Sequence, residues 1–363
     1  MVIPPRTLCP SEFLDEADKG GLIIDVRAPS EYFSDHITGA LSWPLFTDDE
    51  RSVIGTLYKQ KSKEDAIEKG FEIIGPRMAE MARYGRKLYE DQTTKHPLLI
   101  HCWRGGMRSQ SVAWLLRTSG IPAIVLEGGY KAFRSFARSK LKEPLNLVVL
   151  GGLTGSAKTD IIRELGKIGG ERIIDLEKMA NHFGSAFGNL EGLNQPSSKQ
   201  FSNDLYDRLR KIDAWQETSR PIWVENESKT IGRVNIPESF YRQIILSPCI
   251  EISRTLDDRV NHLVEMYGDT DVELLAKAFK RITPKLGSDS VKTALKSLEE
   301  GDLHSAARTA LMYYDKTYSH GLKKRKSQKR EQIDCEELSI PECAQKINDF
   351  LTTYTQKFKC QIQ

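Results

Sequence analysis

The sequence predicts an α/β protein of two domains, residues 1–140 and residues 145–363, each built on a parallel sheet and the second ending in a helix-rich part. Two observations carry that expectation. Short apolar runs alternate with stretches of helical period, and a chain of 363 residues is long enough for two cores. A composition 39% hydrophobic and 28% charged is that of an ordinary globular protein. The formal net charge of +3 excludes binding of nucleic acid through a global field, so any such contact must use local patches. No apolar run approaches the length of a membrane span, and residues 1–10 lack a charged-then-apolar signal pattern. A cytoplasmic location with no membrane partner is therefore expected. The 6 cysteines are scattered without short paired spacings, which argues against a disulfide framework or a zinc knuckle, Cys335 and Cys343 included. No internal repeat appears, and nothing in the sequence bears on oligomeric state.

In chain order, residues 22–27 read as a buried strand ending in charge, and residues 28–32 start a helix with Ser30 as its cap. Residues 36–40 form a turn. Residues 48–91 make one long charged helical region. Residues 97–100 are a short buried strand, residues 110–118 a helix, residues 123–130 a strand closing on Gly128 and Gly129, and residues 131–140 a helix. Strands alternating with helices imply a parallel sheet covered on both faces.

The loop His101-Cys102-Trp103-Arg104-Gly105-Gly106-Met107-Arg108-Ser109 joins the end of the second of these strands to a helix. Amides at a helix N-terminus have no intrahelical partner. Together with the guanidinium groups of Arg104 and Arg108 they favour the thiolate of Cys102 and would encircle an oxyanion, here with the backbone of Gly105, Gly106 and Met107. Gly105 and Gly106 let the backbone fold inward. The bland alternative is a buried cysteine that merely packs.

Asp25-Val26-Arg27 after a strand, His36-Ile37-Thr38-Gly39-Ala40, the strand-loop-helix cysteine and Leu126-Glu127-Gly128-Gly129 resemble a rhodanese domain over most of residues 1–140. In that family the cysteine carries sulfur as a persulfide, and four residues commonly separate it from an arginine. Here five separate Cys102 from Arg108, which also matches the signature of cysteine-dependent phosphatases. A sulfurtransferase and a phosphatase, in which Cys102 would attack phosphorus, both stay open at this point.

Residues 140–144 read as a linker. Residues 145–150 form a strand and residues 160–166 a helix. Gly151-Gly152-Leu153-Thr154-Gly155-Ser156-Ala157-Lys158-Thr159 lies between them, with the spacing of a P-loop. The amides around Gly152, Gly155 and Ser156 would wrap a diphosphate, Lys158 would reach its outer oxygens, and the Thr159 hydroxyl would sit on Mg²⁺. Ala157 stands where a second glycine is expected. Residues 172–177 and 221–227 read as strands ending in acids at the same sheet edge, which makes Asp175 and Glu225 candidate metal ligands or bases. Glu177 and Glu227 read equally well as solvated acids. The loop 181–188, with His182 in it, is a candidate lining for an apolar tail or a nucleobase. Residues 257–267, 271–283, 288–300 and 302–314 have helical spacing, and residues 331–335 and 340–354 add a last strand and helix. The dense basic run at residues 323–330 is a solvated face or an RNA contact.

Taken together, the thiol loop, the phosphate loop, Asp175-Leu176-Glu177, Ala180-Asn181-His182, residues 184–188, Gln195-Pro196-Ser197 and Glu225-Asn226-Glu227-Ser228 closely resemble the tRNA 2-selenouridine synthase family, from about residue 20 to about residue 240. The chain departs from the pattern at Ala157 and at Phe183, where an arginine would follow the histidine. The resemblance implies a rhodanese-like domain followed by a P-loop NTPase-like α/β domain. It implies replacement of the 2-thio sulfur of wobble uridine in tRNA by selenium from selenophosphate, by way of an S-geranylated intermediate made with geranyl diphosphate. No tightly bound cofactor is implied, and Mg²⁺ is an optional companion of the diphosphate. On this view Cys102 delivers selenium, the phosphate loop clamps the prenyl donor, and Asp25, Gly128, Gly129 and His182 border the space for the base. Two other classes compete: a rhodanese-fold phosphatase or sulfurtransferase fused to a P-loop kinase-like domain, and a non-catalytic tRNA-binding module.

Overall fold

Strands buried on both faces must be near-continuously apolar, and the short runs of the N-terminal half meet that demand. The computed structural model describes residues 6–170, 172–182, 187, 194–216, 220–323 and 329–359. The chain divides between Lys140 and Leu141 into two compact units.

Unit one runs β1 (Arg6–Leu8), α1 (Pro10–Asp18), β2 (Ile23–Asp25), α2 (Pro29–Ser34), β3 (Leu41–Ser42), α3 (Asp48–Gln60), α4 (Lys63–Ile74), α5 (Met78–Glu90), β4 (Leu98–His101), α6 (Met107–Thr118), β5 (Ala123–Leu126) and α7 (Gly129–Lys140). Its five strands form one sheet in the order β1-β5-β4-β2-β3, every pairing parallel. All residues of β4 and β5 are buried, so the thiol loop leaves the C-terminal edge of the central strand. In parallel sheets this edge is where ligands gather.

The expected single helical region at residues 48–91 is three helices. Ser62 stops the first and caps the second, its hydroxyl accepting from the Asp65 amide at 2.9 Å. Gly75 and Pro76 open a 3₁₀ turn before α5. Nor does Ser30 cap α2. That position falls to Ala28, and the Ser30 hydroxyl donates to Asp48 at 2.5 Å instead.

Unit two runs β6 (Leu147–Gly152), α8 (Lys158–Gly169), β7 (Ile173–Ile174), α9 (Leu176–Met179), α10 (Ser198–Lys211), β8 (Ile222–Glu225), β9 (Thr230–Ile231), β10 (Val234–Asn235), α11 (Glu238–Leu246), β11 (Cys249–Ser253), α12 (Leu256–Tyr267), α13 (Val272–Arg281), α14 (Thr283–Leu286), α15 (Ser288–Glu299), α16 (Leu303–Lys323), β12 (Arg330–Asp334) and α17 (Ile340–Lys359). A second parallel five-stranded sheet has the order β12-β11-β6-β8-β7, and β9 and β10 form a small antiparallel pair. Helices α8 and α17 cover it through a core that includes Ile161, Leu165, Cys343 and Ile347. The downstream helices have a core of their own around Leu275, Phe279, Leu298 and Ala310. Among the described residues no helix is long and apolar enough to cross a membrane. The Gly/Ser-rich loop at 183–186 and 188–193, including the departure at Phe183, lies outside the described residues, as does most of the basic run, residues 324–328.

Candidate active site

The thiol loop is built from both neighbouring strands. Cys102 follows β4, and its carbonyl accepts from the Tyr130 amide at 2.8 Å while that of Trp103 accepts from Lys131 at 3.0 Å. The first turn of α7 thus anchors the loop. At Gly129 a Cβ would stand 2.3 Å from the Gly105 nitrogen and 2.4 Å from the Cys102 oxygen, and at Gly105 a Cβ would stand 2.5 Å from the Leu126 oxygen. Both glycines have positive φ and are required by this backbone-to-backbone approach. Among the described residues no acceptor engages the amides of residues 104–108, which leaves a set of donors fit for an oxyanion.

Cys102 is 3% exposed, with its Sγ 3.3 Å from the Ser109 Oγ, and the Ser109 hydroxyl is 3.1 Å from the Gly106 oxygen. Arg104 is exposed and forms no ion pair within the described residues. Arg108 is committed: its guanidinium donates to Glu31 at 2.7 Å. Burial works to raise the Glu31 carboxyl, but the bonds from Arg108 overcome it and hold the group below its usual range.

Beneath the loop, Asp25 and Arg27 are fully buried and paired by three side-chain contacts of 2.6 to 3.0 Å. The Arg27 guanidinium lies 4.1 Å from the centre of the Tyr130 ring. His101, also fully buried, faces Asp25 at 3.8 Å, and burial pushes it down to about 4, so it is neutral near pH 7.

The phosphate loop bends between β6 and α8. Gly155 has φ +80, and a Cβ there would stand 2.9 Å from the Arg259 oxygen of α12. The Leu153 carbonyl accepts from the Ser156 hydroxyl at 2.7 Å and from Lys158 Nζ at 3.3 Å. Among the described residues the amides of Gly155, Ala157, Lys158 and Thr159 have no acceptor, as an anion site requires.

Ala157 adopts φ 56, ψ 29, the left-handed conformation a glycine would take there. Strain of about 1–2 kcal/mol for an L-residue is set against about 1 kcal/mol of unfolded-chain entropy that glycine would lose. The methyl also packs in the core, 4% exposed, which adds about 0.8 kcal/mol in favour of alanine. Ala157→Gly is therefore expected to melt within about 1 kcal/mol of wild type, whereas Ala157→Val, β-branched at positive φ, loses about 2 kcal/mol or more; urea unfolding of both variants checks this.

Carboxylates meet the loop at Thr159. Its Oγ1 lies 2.7 Å from Glu225 and 3.1 Å from Glu177. A hydroxyl has one proton, so the second contact takes its proton from a carboxyl. Buried Glu225 also accepts from the Leu176 and Glu177 amides at 3.0 and 3.3 Å. Burial first, then the neighbouring Glu227 for Glu177 and Glu177 for Glu225, push this pair up toward about 8. Raised carboxyls add stability while protonated and forfeit it as pH rises toward 8. Glu177→Gln is accordingly expected to melt higher than wild type at pH 8.5, by on the order of 1 kcal/mol, with the gain shrinking at pH 5. Thermal scans at the two pH values decide it; an equal shift at both excludes the carboxyl pair as the cause.

Two cavities adjoin this loop. One is lined by the phosphate loop with Glu177, Glu227 and His262; the other is apolar, between Phe187, Leu275, Phe279, Leu298 and Ala306. They share Thr154, Leu263, Tyr267 and Tyr314.

A family model described as the tRNA 2-selenouridine synthase AAA domain matches residues 145–347, and a rhodanese-like domain model matches residues 10–136. The chain belongs to the tRNA 2-selenouridine synthase family. A tRNA 2-selenouridine synthase of Nitrosomonas europaea is 35% identical over 270 residues, covering 73% of this chain and 68% of the relative. One from Bordetella petrii is 32% identical over 343 residues, covering 85% and 88%.

In this synthase-family chain the structure redistributes several residues picked out from sequence. Asp25 lies fully buried, with both carboxylate oxygens bonded to Arg27. Gly129 leaves no room for a base, because the backbone of the thiol loop fills the space; at Gly128 a Cβ would meet Ala132 at 2.7 Å. Asp175 caps α9 and pairs with Arg163 at 2.9 Å, so Glu177 stands in the cavity in its place. His182 is not among the lining residues of either cavity beside the loop; it lies against Gly232, where a Cβ would stand 2.7 Å from its ring. Sequence reasoning missed Arg259 and His262. Arg259, 3% exposed, donates to the Thr154 oxygen at 2.8 Å and pairs with Asp315 at 2.6 Å. Their one signal is helical periodicity a hundred residues downstream of the loop.

Proposed function

We propose that the protein is a tRNA 2-selenouridine synthase that works in two steps on the 2-thiouridine at the wobble position of tRNA, in the cytoplasm. In the first, the 2-thio sulfur attacks C1 of geranyl diphosphate. The C–S bond forms as the C–O bond breaks, diphosphate leaves, and the uridine loses its N3 proton. In the second, selenium from selenophosphate attacks C2. The C–Se bond forms, geranylthiolate departs and takes up a proton, and water then cleaves the Se–P bond to release phosphate.

The observation that carries this reading is the shared wall in unit two. A phosphate loop with free amides and Lys158 opens onto a cavity of Phe, Leu, Ala and Tyr side chains, which suits an anionic head on a hydrocarbon tail. Lys158 and the amides stabilise the charge growing on the departing diphosphate. Thr159, Glu177 and Glu225 are hard oxygen donors of the kind Mg²⁺ takes, and the ion would supply further neutralisation of that charge. In unit one the free amides and Arg104 hold the selenophosphate oxyanion, with Cys102 below as the group that delivers selenium. Glu31 engages Arg108, which weighs against the phosphatase alternative, where that guanidinium must hold the phosphoryl group. Incubating the protein with thiolated tRNA, geranyl diphosphate and selenophosphate, omitting one reagent at a time, tests the scheme. Selenation that proceeds equally well without geranyl diphosphate refutes the order of steps.

A further inference from the structure

Unit one contains a cavity that neither loop accounts for. Helices α3, α4, α5 and α6 enclose about 210 Å³, walled by side chains such as Phe46, Ile54, Ile74, Met81 and Leu115. Its mouth is bordered by Tyr58, Phe71, Met107 and Trp114, which are 60, 69, 49 and 39% exposed. Large apolar side chains gathered in water around one opening mark a binding site more often than chance. The cavity is also continuous with the thiol loop. Met107 and Arg108 line it and open α6, and Val112, in the same wall, shares a core cluster with Cys102. Lys63, exposed at the rim, adds a cation suited to the phosphodiesters of an RNA.

We propose that this cavity takes the branched hydrocarbon chain of the S-alkylated uridine and holds its thioether beside Cys102 while selenium replaces sulfur. The inference rests on the two-step reading above and assigns a site to the group that leaves in its second step. There the C2–Se bond forms and the C2–S bond breaks, its electron pair going to sulfur. The ten-carbon thiolate then takes a proton from water, and no oxidant or reductant is needed. Size supports the assignment: a cavity of about 150 Å³ takes benzene, so a larger one with an open end suits a ten-carbon chain.

Gly70 of α4 lines this cavity, and a Cβ added there would meet only the Phe46 ring, at 3.8 Å. Gly70→Leu therefore grows into the hollow, and leucine favours the helix it sits in. The test uses the full chain, selenophosphate, and anticodon stem-loop RNAs carrying either S-geranyl or S-methyl 2-thiouridine, with products read by mass spectrometry. The expected result is a KM for the S-geranyl RNA that rises about tenfold or more in the variant, with the S-methyl KM and the geranylation of thiolated RNA unchanged. Should the variant melt below wild type, Ser111→Leu, at an exposed lining position on α6, carries the same measurement. Equal KM values in variant and wild type overturn the assignment and leave the two-step reading standing. A wild-type protein that converts neither RNA overturns both. Loss of a self-associated species by sedimentation, with KM unchanged, gives the cavity to a second copy of the chain and overturns the proposal.

Discussion

Replacing Cys102 by serine is expected to abolish selenation of thiolated tRNA, by about 10³-fold or more, while S-geranylation continues at the wild-type rate. Serine is nearly the size of cysteine and keeps a hydrogen-bonding partner for Ser109, so the 3% exposed position tolerates it and the loop keeps its shape. What disappears is the sulfur nucleophile beside the bound selenophosphate, for which a serine hydroxyl is a far weaker substitute. The product to measure is the S-geranyl nucleoside, which should accumulate in digests of treated tRNA. Full selenation by the variant would remove Cys102 from the chemistry and reduce it to the packing residue that its burial also permits.

The complementary substitution is Lys158→Ala. It removes the cation of the phosphate loop, whose amine now rests on the Leu153 carbonyl at 3.3 Å. Loss of one preorganised charge aimed at a leaving group costs on the order of 10²–10³ in rate, so geranylation should fall by that factor. Selenation of an RNA supplied already S-geranylated should not fall. The two variants thus predict opposite blocks, and mixing them should restore the complete reaction if the intermediate is released and rebound. A Lys158→Ala protein that fails equally on the pre-geranylated RNA would show that the two chemistries are not divided as proposed.

How much of this was legible beforehand depends on how local each signal is. The thiol loop and phosphate loop were readable because glycines, a cysteine and a lysine sit within nine residues between a strand and a helix, and local backbone rules act at that range. The α/β class and the parallel sheets followed from the apolar runs. The broken helix at residues 48–91 was missed because helical period continues across Ser62, and only the cap bond to Asp65 reveals the stop. Strand β11 was passed over because Glu251 interrupts its apolar run, although it lies between β6 and β12. The partners of Asp25 and Asp175 were hidden for one reason. A carboxylate at a strand end looks available in sequence, and only the fold discloses the arginine that occupies it. The partners of Arg108, and the roles of Arg259 and His262, depend on contacts between segments far apart in the chain, which no local pattern encodes.

Helix α7 bears on one more property of the thiol loop. Its first amides hold the carbonyls of Cys102 and Trp103, and its first residue, Gly129, abuts Gly105 with no side chain between them. Loop and helix are therefore one mechanical piece, a lever about 18 Å long at 1.5 Å per residue. The far end of that lever is Lys140, the last residue before the second unit begins. A bend introduced into the first turn of α7 would therefore shift the backbone that carries the Cys102 sulfur.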